Sequence, residues 1–273
     1  MPGFEPDFDD TEWTEGWRHV PIVQVPPGAH PSGYRVQRHI LQQADVFGRR
    51  YRLSSPLDCA FLYDPDGRLW MSNTPQERMM MYNNGCRSYG RVLVGGLGLG
   101  LYPQYAAMGA AGEATSFTIV EHSAAIRAIV EPTLRESLSL PLEIETGDIE
   151  QWLSGPVTTR YDTIFVDTWD TLDAALLPTI NALRDLALLH LAPHGRALMW
   201  GYRWMVRLFE EACRQLLAVS PSERRGWLTA GERASASAMA LLTPVVDHFQ
   251  GRAAEDVDEA LAWCRHYAIH CVE

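Results

Sequence analysis

The chain has 273 residues, of which 47% are hydrophobic and 21% are charged, and its formal net charge is −11. This length and composition are typical of one sizeable folded α/β domain with a small appendage, and they argue against a disordered chain. The acidic balance argues against nucleic acid as a partner, because a phosphate track needs clustered Lys and Arg. No apolar run approaches the roughly 20 residues that span a bilayer, so we expect no membrane partner and a cytoplasmic location.

The five cysteines are an odd number and contain no CxxC pair. A disulfide framework or a structural zinc site would need paired, closely spaced cysteines, so we expect reduced thiols and no bound metal. The cysteines are therefore assigned to the core or the surface as free thiols.

The first part of the chain differs in composition from the rest. Residues 1–33 contain six prolines and four glycines, which predicts an extended arm that packs irregularly or stays mobile. Residues 34–89 are predicted to form a small β-rich subdomain, with a hairpin that turns at DPDG, residues 64–67. The sequence TPQE at residues 74–77 is typical of a capping box, so a helix is expected to start there and to end near Gly85 with a left-handed cap.

Residues 90–273 are predicted to form one Rossmann-like domain. Five short apolar strands, RVLVGG, FTIVE, LEIE, YDTIFVD and RALMW, alternate with helical segments. Such alternation predicts an α/β fold with a doubly wound, mostly parallel sheet covered on both faces. Beyond Tyr202 the chain is predicted to be mostly helical and to close with a strand at YAIHCV.

The first of these strands runs directly into a glycine loop that contains Gly95, Gly96, Gly98 and Gly100. Glycines let the backbone turn sharply and approach a ligand, while the next helix offers free N–H groups. A dinucleotide fingerprint GxGxxG would need glycine at Leu101, whereas the GxGxG spacing present here favours S-adenosylmethionine over NAD. The alternative is a tight turn without a ligand.

Acids follow the next two strands. Glu121 ends the second strand, 21 residues after Gly100, at the distance where a carboxylate can accept hydrogen bonds from ribose hydroxyls. Asp148 follows the third strand together with Ile149, and its carboxylate is placed to accept the adenine amino group. The alternatives are a solvated strand-end charge for Glu121 and a helix N-cap for Asp148.

The fourth strand ends in Asp167, Thr168, Trp169 and Asp170. Two carboxylates and an indole therefore stand at the carboxyl edge of the sheet, where open α/β sheets bind their ligands. Helix capping is the alternative, especially for Asp170 and Asp173. We also expect Tyr82 and Trp169 to line an acceptor pocket.

The segments VLVGGLGLG, FTIVEHS, TGDIEQWL and YDTIFVDTWD together resemble the spermidine synthase branch of the class I S-adenosylmethionine-dependent methyltransferase superfamily. The resemblance covers roughly residues 50–200 and implies a transferase that acts on a small molecule. It assigns the glycine loop, Glu121 and Asp148 to the cofactor. It also implies that Asp167 orients or deprotonates an amine and that Asp170 is a second amine contact.

One departure from the family pattern concerns the reaction. The family's glycine loop usually reads GGGDGG, with an aspartate that holds the aminopropyl ammonium, and Gly98 stands at that position here. Methyl transfer from S-adenosylmethionine is therefore predicted, with aminopropyl transfer from the decarboxylated cofactor as the alternative. A nucleotide-binding module without catalysis is a further alternative. The expected partner is a small-molecule acceptor, and a homodimer is compatible with the sequence.

Overall fold

The computed structural model describes residues 13–108, 113–229, 236–250 and 257–272. The chain divides into two compact units, one made of Met1–Trp169 with Leu186–Trp200 and the other of Asp170–Asp185 with Gly201–Glu273. The predicted boundaries at residues 33 and 89 do not coincide with this division and stay a prediction. Within the described ranges, no helix combines the length and the apolar character that crossing a bilayer requires.

The amino-terminal part of the first unit is an antiparallel sheet. Its strands follow one another in space as β1-β2-β3-β4. They are β1 (Gly28–Ala29), β2 (Arg35–Val46), β3 (Arg49–Tyr63) and β4 (Leu69–Ser72). The predicted hairpin between β3 and β4 is confirmed: Asp64 accepts hydrogen bonds from the N–H groups of Gly67 and Arg68, and Gly67 has φ +81. No sequence pattern indicated β2, which pairs with β3 on the side opposite β4.

The described part of the predicted amino-terminal arm is packed. Gly16–His19 form a 3₁₀ helix in which the indole of Trp17 is 1% exposed. Farther along, the backbone of Val23 exchanges two hydrogen bonds with the side-chain amide of Gln104, at 2.7 and 3.0 Å. These contacts hold residues 13–25 in place within the first unit. The first twelve residues of the predicted arm lie outside the described residues.

Helix α1 (Pro75–Gly85) starts and ends where the sequence predicts. The predicted capping box is wrong, because the Thr74 side chain caps no N–H group. The neighbouring Gln76 side chain accepts a hydrogen bond from Phe47 N at 2.8 Å. The predicted left-handed cap at Gly85 is also wrong, since Gly85 is not among the residues with positive φ. Glycine is needed there for close packing: a Cβ would lie 2.8 Å from backbone atoms of Tyr105 and Ala106.

The first unit also contains the predicted doubly wound sheet, which is confirmed. Its five strands are all parallel and lie in the order β7-β6-β5-β8-β9. They are β5 (Tyr89–Gly95), β6 (Glu113–Glu121), β7 (Leu142–Thr146), β8 (Tyr161–Val166) and β9 (Leu191–Met199). The intervening helices are α2 (Leu101–Met108), α3 (Ala124–Ser137), α4 (Ile149–Leu153) and α5 (Leu177–Leu189), and the residues of α5 are divided between the two units.

This strand order creates a switch point between β5 and β8. From β5 the chain winds outward to β6 and β7, then returns to place β8 on the other side of β5. Open α/β sheets bind ligands at the carboxyl ends of the strands beside such a reversal. The second halves of the two central strands are apolar because both of their faces are covered, with Leu93 and Ile164 completely buried. The candidate site is therefore expected where β5 and β8 end.

The second unit is helical, as predicted. It contains α6 (Tyr202–Ala218), α7 (Arg224–Thr229), α8 (Ala236–His248) and α9 (Val257–His270). The predicted closing strand at YAIHCV is wrong, because most of it lies within α9. The buried side chains of Ala260, Cys264 and Ala268 recur every four residues and form a helical stripe. Asn181 then donates hydrogen bonds to the carbonyl oxygens of Ala268 and Cys271 at the helix end, at 2.9 and 2.6 Å.

The close approach of α1 to α2 predicts that Gly85→Ala lowers the free energy of unfolding by about 1–3 kcal/mol, because the added methyl group overlaps backbone that cannot move independently. Gly226→Ala is the matched control. That glycine lies in α7, and a Cβ added to it would meet no atom within 4 Å, so stability should be unchanged or rise by up to about 1 kcal/mol. Urea denaturation measures both, and equal effects would contradict the packing role of Gly85.

Candidate functional site

The glycine loop and the end of β8 approach each other at backbone level. Asp167 N donates a hydrogen bond to Gly95 O at 2.9 Å, which continues the pairing of β5 with β8. Gly96 follows with φ +91, and a Cβ on it would lie 2.2 Å from the carbonyl oxygen of Asp167. A side chain at Gly96 would therefore force the loop away from the strand that carries Asp167.

The other two loop glycines have different surroundings. A Cβ on Gly98 would meet no atom within 4 Å, although its φ of +53 favours glycine. Gly100 has φ +72, and a Cβ on it would lie 3.2 Å from Val130 Cγ1 on α3. The backbone at Gly98 thus borders open space, whereas Gly100 allows the loop to pack on α3.

Glu121 lies behind the loop with 8% of its surface exposed. Its Oε2 accepts a hydrogen bond from Leu97 N at 2.8 Å, and its Oε1 accepts one from Ser123 N at 2.7 Å. The alternative of a solvated strand-end charge is therefore wrong. Each carboxylate oxygen has a further lone pair, so the same side chain can hold the loop and also accept a hydrogen bond from a ribose hydroxyl.

Asp148 and Ile149 lie at the end of β7. Asp148 Oδ1 accepts hydrogen bonds from Glu150 N and Gln151 N at 2.8 and 3.0 Å, which confirms the N-cap interpretation. The side chain of Ile149 is 6% exposed, and its Cγ1 atom lies 2.7 Å from the position of a Cβ on Gly95. Gly95 therefore allows Ile149 to pack directly over the end of β5. The adenine contact of Asp148 stays a prediction.

The carboxyl group of Asp167, directly after β8, is affected electrostatically by two other acidic side chains. Burial raises the pKa of Asp167 well above its usual value, and the nearby charges of Glu77 and Glu121 raise it further. Burial also raises the pKa of Glu77 to about 7. The sequence pattern places Glu77 in a capping box. Its electrostatic effect on Asp167 could not be predicted, because no local pattern relates a residue on α1 to the end of β8.

Two tryptophans accompany these carboxyl groups. The ring centroids of Trp169 and Trp200 lie 6.5 Å apart, and both indole Nε1 atoms are buried without a hydrogen-bond partner. An interaction with the Trp200 indole lowers the pKa of Glu77 against the larger effect of burial, although the indole N–H makes no hydrogen bond. Buried donors are normally satisfied, so the two indoles indicate a place where a ligand or water accepts their hydrogen bonds.

The remaining predicted acceptor residues lie in other surroundings. Tyr82 packs edge-on against Tyr105 with a centroid distance of 5.6 Å, and its hydrogen bond with Cys86, followed by burial, raises its pKa. Asp170 is exposed and belongs to the second unit. Asp173 accepts a hydrogen bond from Ala175 N at 2.9 Å, which confirms its capping role. Acceptor contacts by Tyr82 and Asp170 stay predictions.

Comparison with known proteins yields distant structural matches. The sequence matches no family model and no curated protein. One solved structure, an S-adenosylmethionine-dependent methyltransferase from Clostridium acetobutylicum, is 14% identical, with a TM-score of 0.32 over 41% of this chain and 42% of that one. An amino pentose methyltransferase from Micromonospora echinaspora, solved with S-adenosylmethionine bound, is 17% identical, with a TM-score of 0.30 over 43% and 45%.

A methyltransferase from Podospora anserina, solved with S-adenosylhomocysteine bound, is 14% identical, with a TM-score of 0.35 over 72% of this chain and 69% of that one. The chain spans less than half the length of the first two structures.

Within the part of the chain that the structure describes, no three His, Cys, Asp or Glu side chains are grouped as a metal site would require.

The contacts of Glu121 predict that Glu121→Ala lowers the free energy of unfolding of the ligand-free protein by about 1–3 kcal/mol, since one buried and one partly buried backbone N–H group lose their acceptor. Glu143→Ala is the control, because Glu143 is an exposed acid on neighbouring β7, where substitutions usually change stability by less than about 0.5 kcal/mol. Thermal and urea unfolding measure both variants. Equal stabilities would show that Glu121 does not hold the loop.

Proposed function

We propose that this protein binds S-adenosylmethionine and transfers its methyl group to a small-molecule acceptor. The observation that carries the proposal is the open glycine loop at the switch point. Gly98 borders free space, Glu121 supports the loop from behind, and Asp167 follows the neighbouring strand. When bound, the cofactor would supply a methyl group already activated by its sulfonium.

The residues of the site fit such a cofactor. Backbone N–H groups at the start of α2 provide a favourable setting for its carboxylate. Glu121 retains lone pairs for ribose hydroxyls, and Asp148 stands at the end of the next strand, where the adenine amino group is expected. The protein's contribution would be to hold the acceptor in line with the methyl carbon and to exclude competing orientations.

The acceptor side is supported by the unpartnered indole N–H groups of Trp169 and Trp200 beside Asp167 and Glu77. A module that only binds nucleotides would have no need for buried polar groups without partners next to the cofactor, because such groups lower stability. The enzyme interpretation is therefore preferred. Asp167 is proposed to orient or deprotonate the acceptor.

If the cofactor assignment is correct, S-adenosylhomocysteine raises the melting temperature of the protein, because a ligand that binds only the folded state stabilises it by mass action. At 100 times its dissociation constant the expected stabilisation is about 2.7 kcal/mol. Differential scanning fluorimetry with NADH as the comparison ligand measures this. A shift with NADH and none with S-adenosylhomocysteine would show that the site takes a dinucleotide.

The lack of an acid at Gly98 predicts at least a tenfold preference for S-adenosylmethionine over its decarboxylated form, which corresponds to about 1.4 kcal/mol. Gly98→Asp should reduce this preference or reverse it, since open space admits the side chain and aspartate tolerates positive φ. Gly98→Asn is the matched control, with the same shape and no charge. Calorimetric titration compares the three proteins, and tighter binding of the decarboxylated form by the wild type would restore the aminopropyl-transfer alternative.

A further inference from the structure

Gln104 is a polar side chain of α2 that is only 1% exposed. Its Oε1 accepts a hydrogen bond from Val23 N at 2.7 Å, and its Nε2 donates to Val23 O at 3.0 Å and to Gly100 O at 2.9 Å. A buried amide with these bonds fixes the groups that it joins, because leaving any of them unpaired in the interior is unfavourable. Gln104 thus joins the amino-terminal segment, residues 13–25, to the last glycine of the loop.

The Gly100 end of the loop closes a turn that faces the candidate site. Gly100 N donates a hydrogen bond to Leu97 O at 3.0 Å, and Gly98, which borders open space, lies within this turn. At the other end of the turn, Leu97 N donates to the Glu121 carboxylate at 2.8 Å. Two buried side chains therefore hold the two ends of the turn, Glu121 at Leu97 and Gln104 at Gly100.

The amino-terminal segment that supports Gln104 is itself attached to the antiparallel sheet. Gln24, the residue after Val23, donates a hydrogen bond from its side chain to Asp58 O on β3 at 3.1 Å. It also accepts one at 2.8 Å from the side chain of Asn73, which directly follows β4 and is 1% exposed. The antiparallel sheet thus sets the position of Val23, and Gln104 relates that position to the loop.

We propose that Gln104 is a positioning residue for the cofactor: it holds the Gly100 end of the turn against the amino-terminal segment and keeps the glycine loop in the conformation that the cofactor needs. The inference rests on the proposed function and extends it, because Gln104 acts through the loop without touching the ligand. A loop that is ordered before binding loses less conformational entropy when the ligand arrives. Because linkage is reciprocal, a ligand that binds the loop also stabilises the bonds between Gln104 and Val23.

The first test uses the wild type and measures amide hydrogen exchange by NMR with and without S-adenosylhomocysteine. The Val23 N–H is the probe, because it donates directly to Gln104. Its exchange should slow by at least about fivefold on binding, a typical coupling between linked sites. The Gly67 N–H is the reference, since it is bonded to Asp64 O in an exposed turn, and its exchange should change by less than about twofold. Unchanged Val23 exchange in the complex would overturn the inference.

The second test compares two substitutions of glutamine by methionine, which keeps the length of the side chain and removes its hydrogen bonds. Gln104→Met should lower the affinity for S-adenosylhomocysteine by at least about fivefold in calorimetric titration. Gln24→Met is the matched control: it removes two bonds of the same segment but none to the loop, so the affinity should change by less than about twofold. Equal losses in the two variants would show that any loosening of the segment has this effect and would overturn the positioning role.

Two further measurements keep the outcomes distinct. If Gln104→Met does not fold, Gln104→Glu replaces it, because glutamate retains an acceptor for Val23 N and loses the donor to Gly100 O. Failure of S-adenosylhomocysteine to bind the wild type would overturn the proposed function. The ligand-free proteins then decide on Gln104: the Gly100 N–H should exchange at least about fivefold faster in the Gln104 variant than in Gln24→Met. Equal Gly100 exchange would show that Gln104 does not hold the turn.

Discussion

The Glu121 carboxylate connects the glycine loop to the second strand of the parallel sheet, and the geometry of the site depends on that connection. Its bonds to Leu97 N and Ser123 N hold the loop and the start of α3 relative to each other. Hydrogen bonds to a charged acceptor contribute about 1.5–3 kcal/mol each, more than neutral ones. With Leu97 held, Gly96 can lie against the Asp167 carbonyl and Gly98 borders open space. Glu121 thus supports both the proposed cofactor side and the proposed acceptor side of the site.

Local patterns were sufficient to predict most of the first unit. Alternation of apolar strands with helices predicted the parallel sheet, and the glycines marked the turn after β5, because these features arise from periodicity and backbone freedom. The same reasoning failed where two local patterns compete. YAIHCV alternates like a strand, yet Cys264 and Ala268 continue a buried helical stripe that decides its conformation. TPQE resembles a capping box, but the Thr74 side chain caps no N–H group.

The residues of the proposed acceptor side could be predicted only in part from the sequence. Asp167 and Trp169 follow a strand end, so the general rule for α/β sheets identifies them. Glu77 and Trp200 reach the same place from α1 and from the end of β9, and no sequence spacing encodes that meeting. Only the folded structure shows that the pKa of Glu77 responds to Trp200 and that the Trp200 indole N–H is buried without a partner. Two buried indole donors without acceptors are unfavourable for folding, and such local conflicts are expected at functional sites.

Burial of the Glu77 and Asp167 carboxyl groups makes the stability of the fold depend on pH. An acid whose pKa is raised in the folded state binds more protons when folded, so its contribution to stability is present below the ordinary pKa and is lost as pH rises through the raised value. For Glu77 that window runs from 4.5 to about 7, and for Asp167 it also begins at the ordinary value and extends upward.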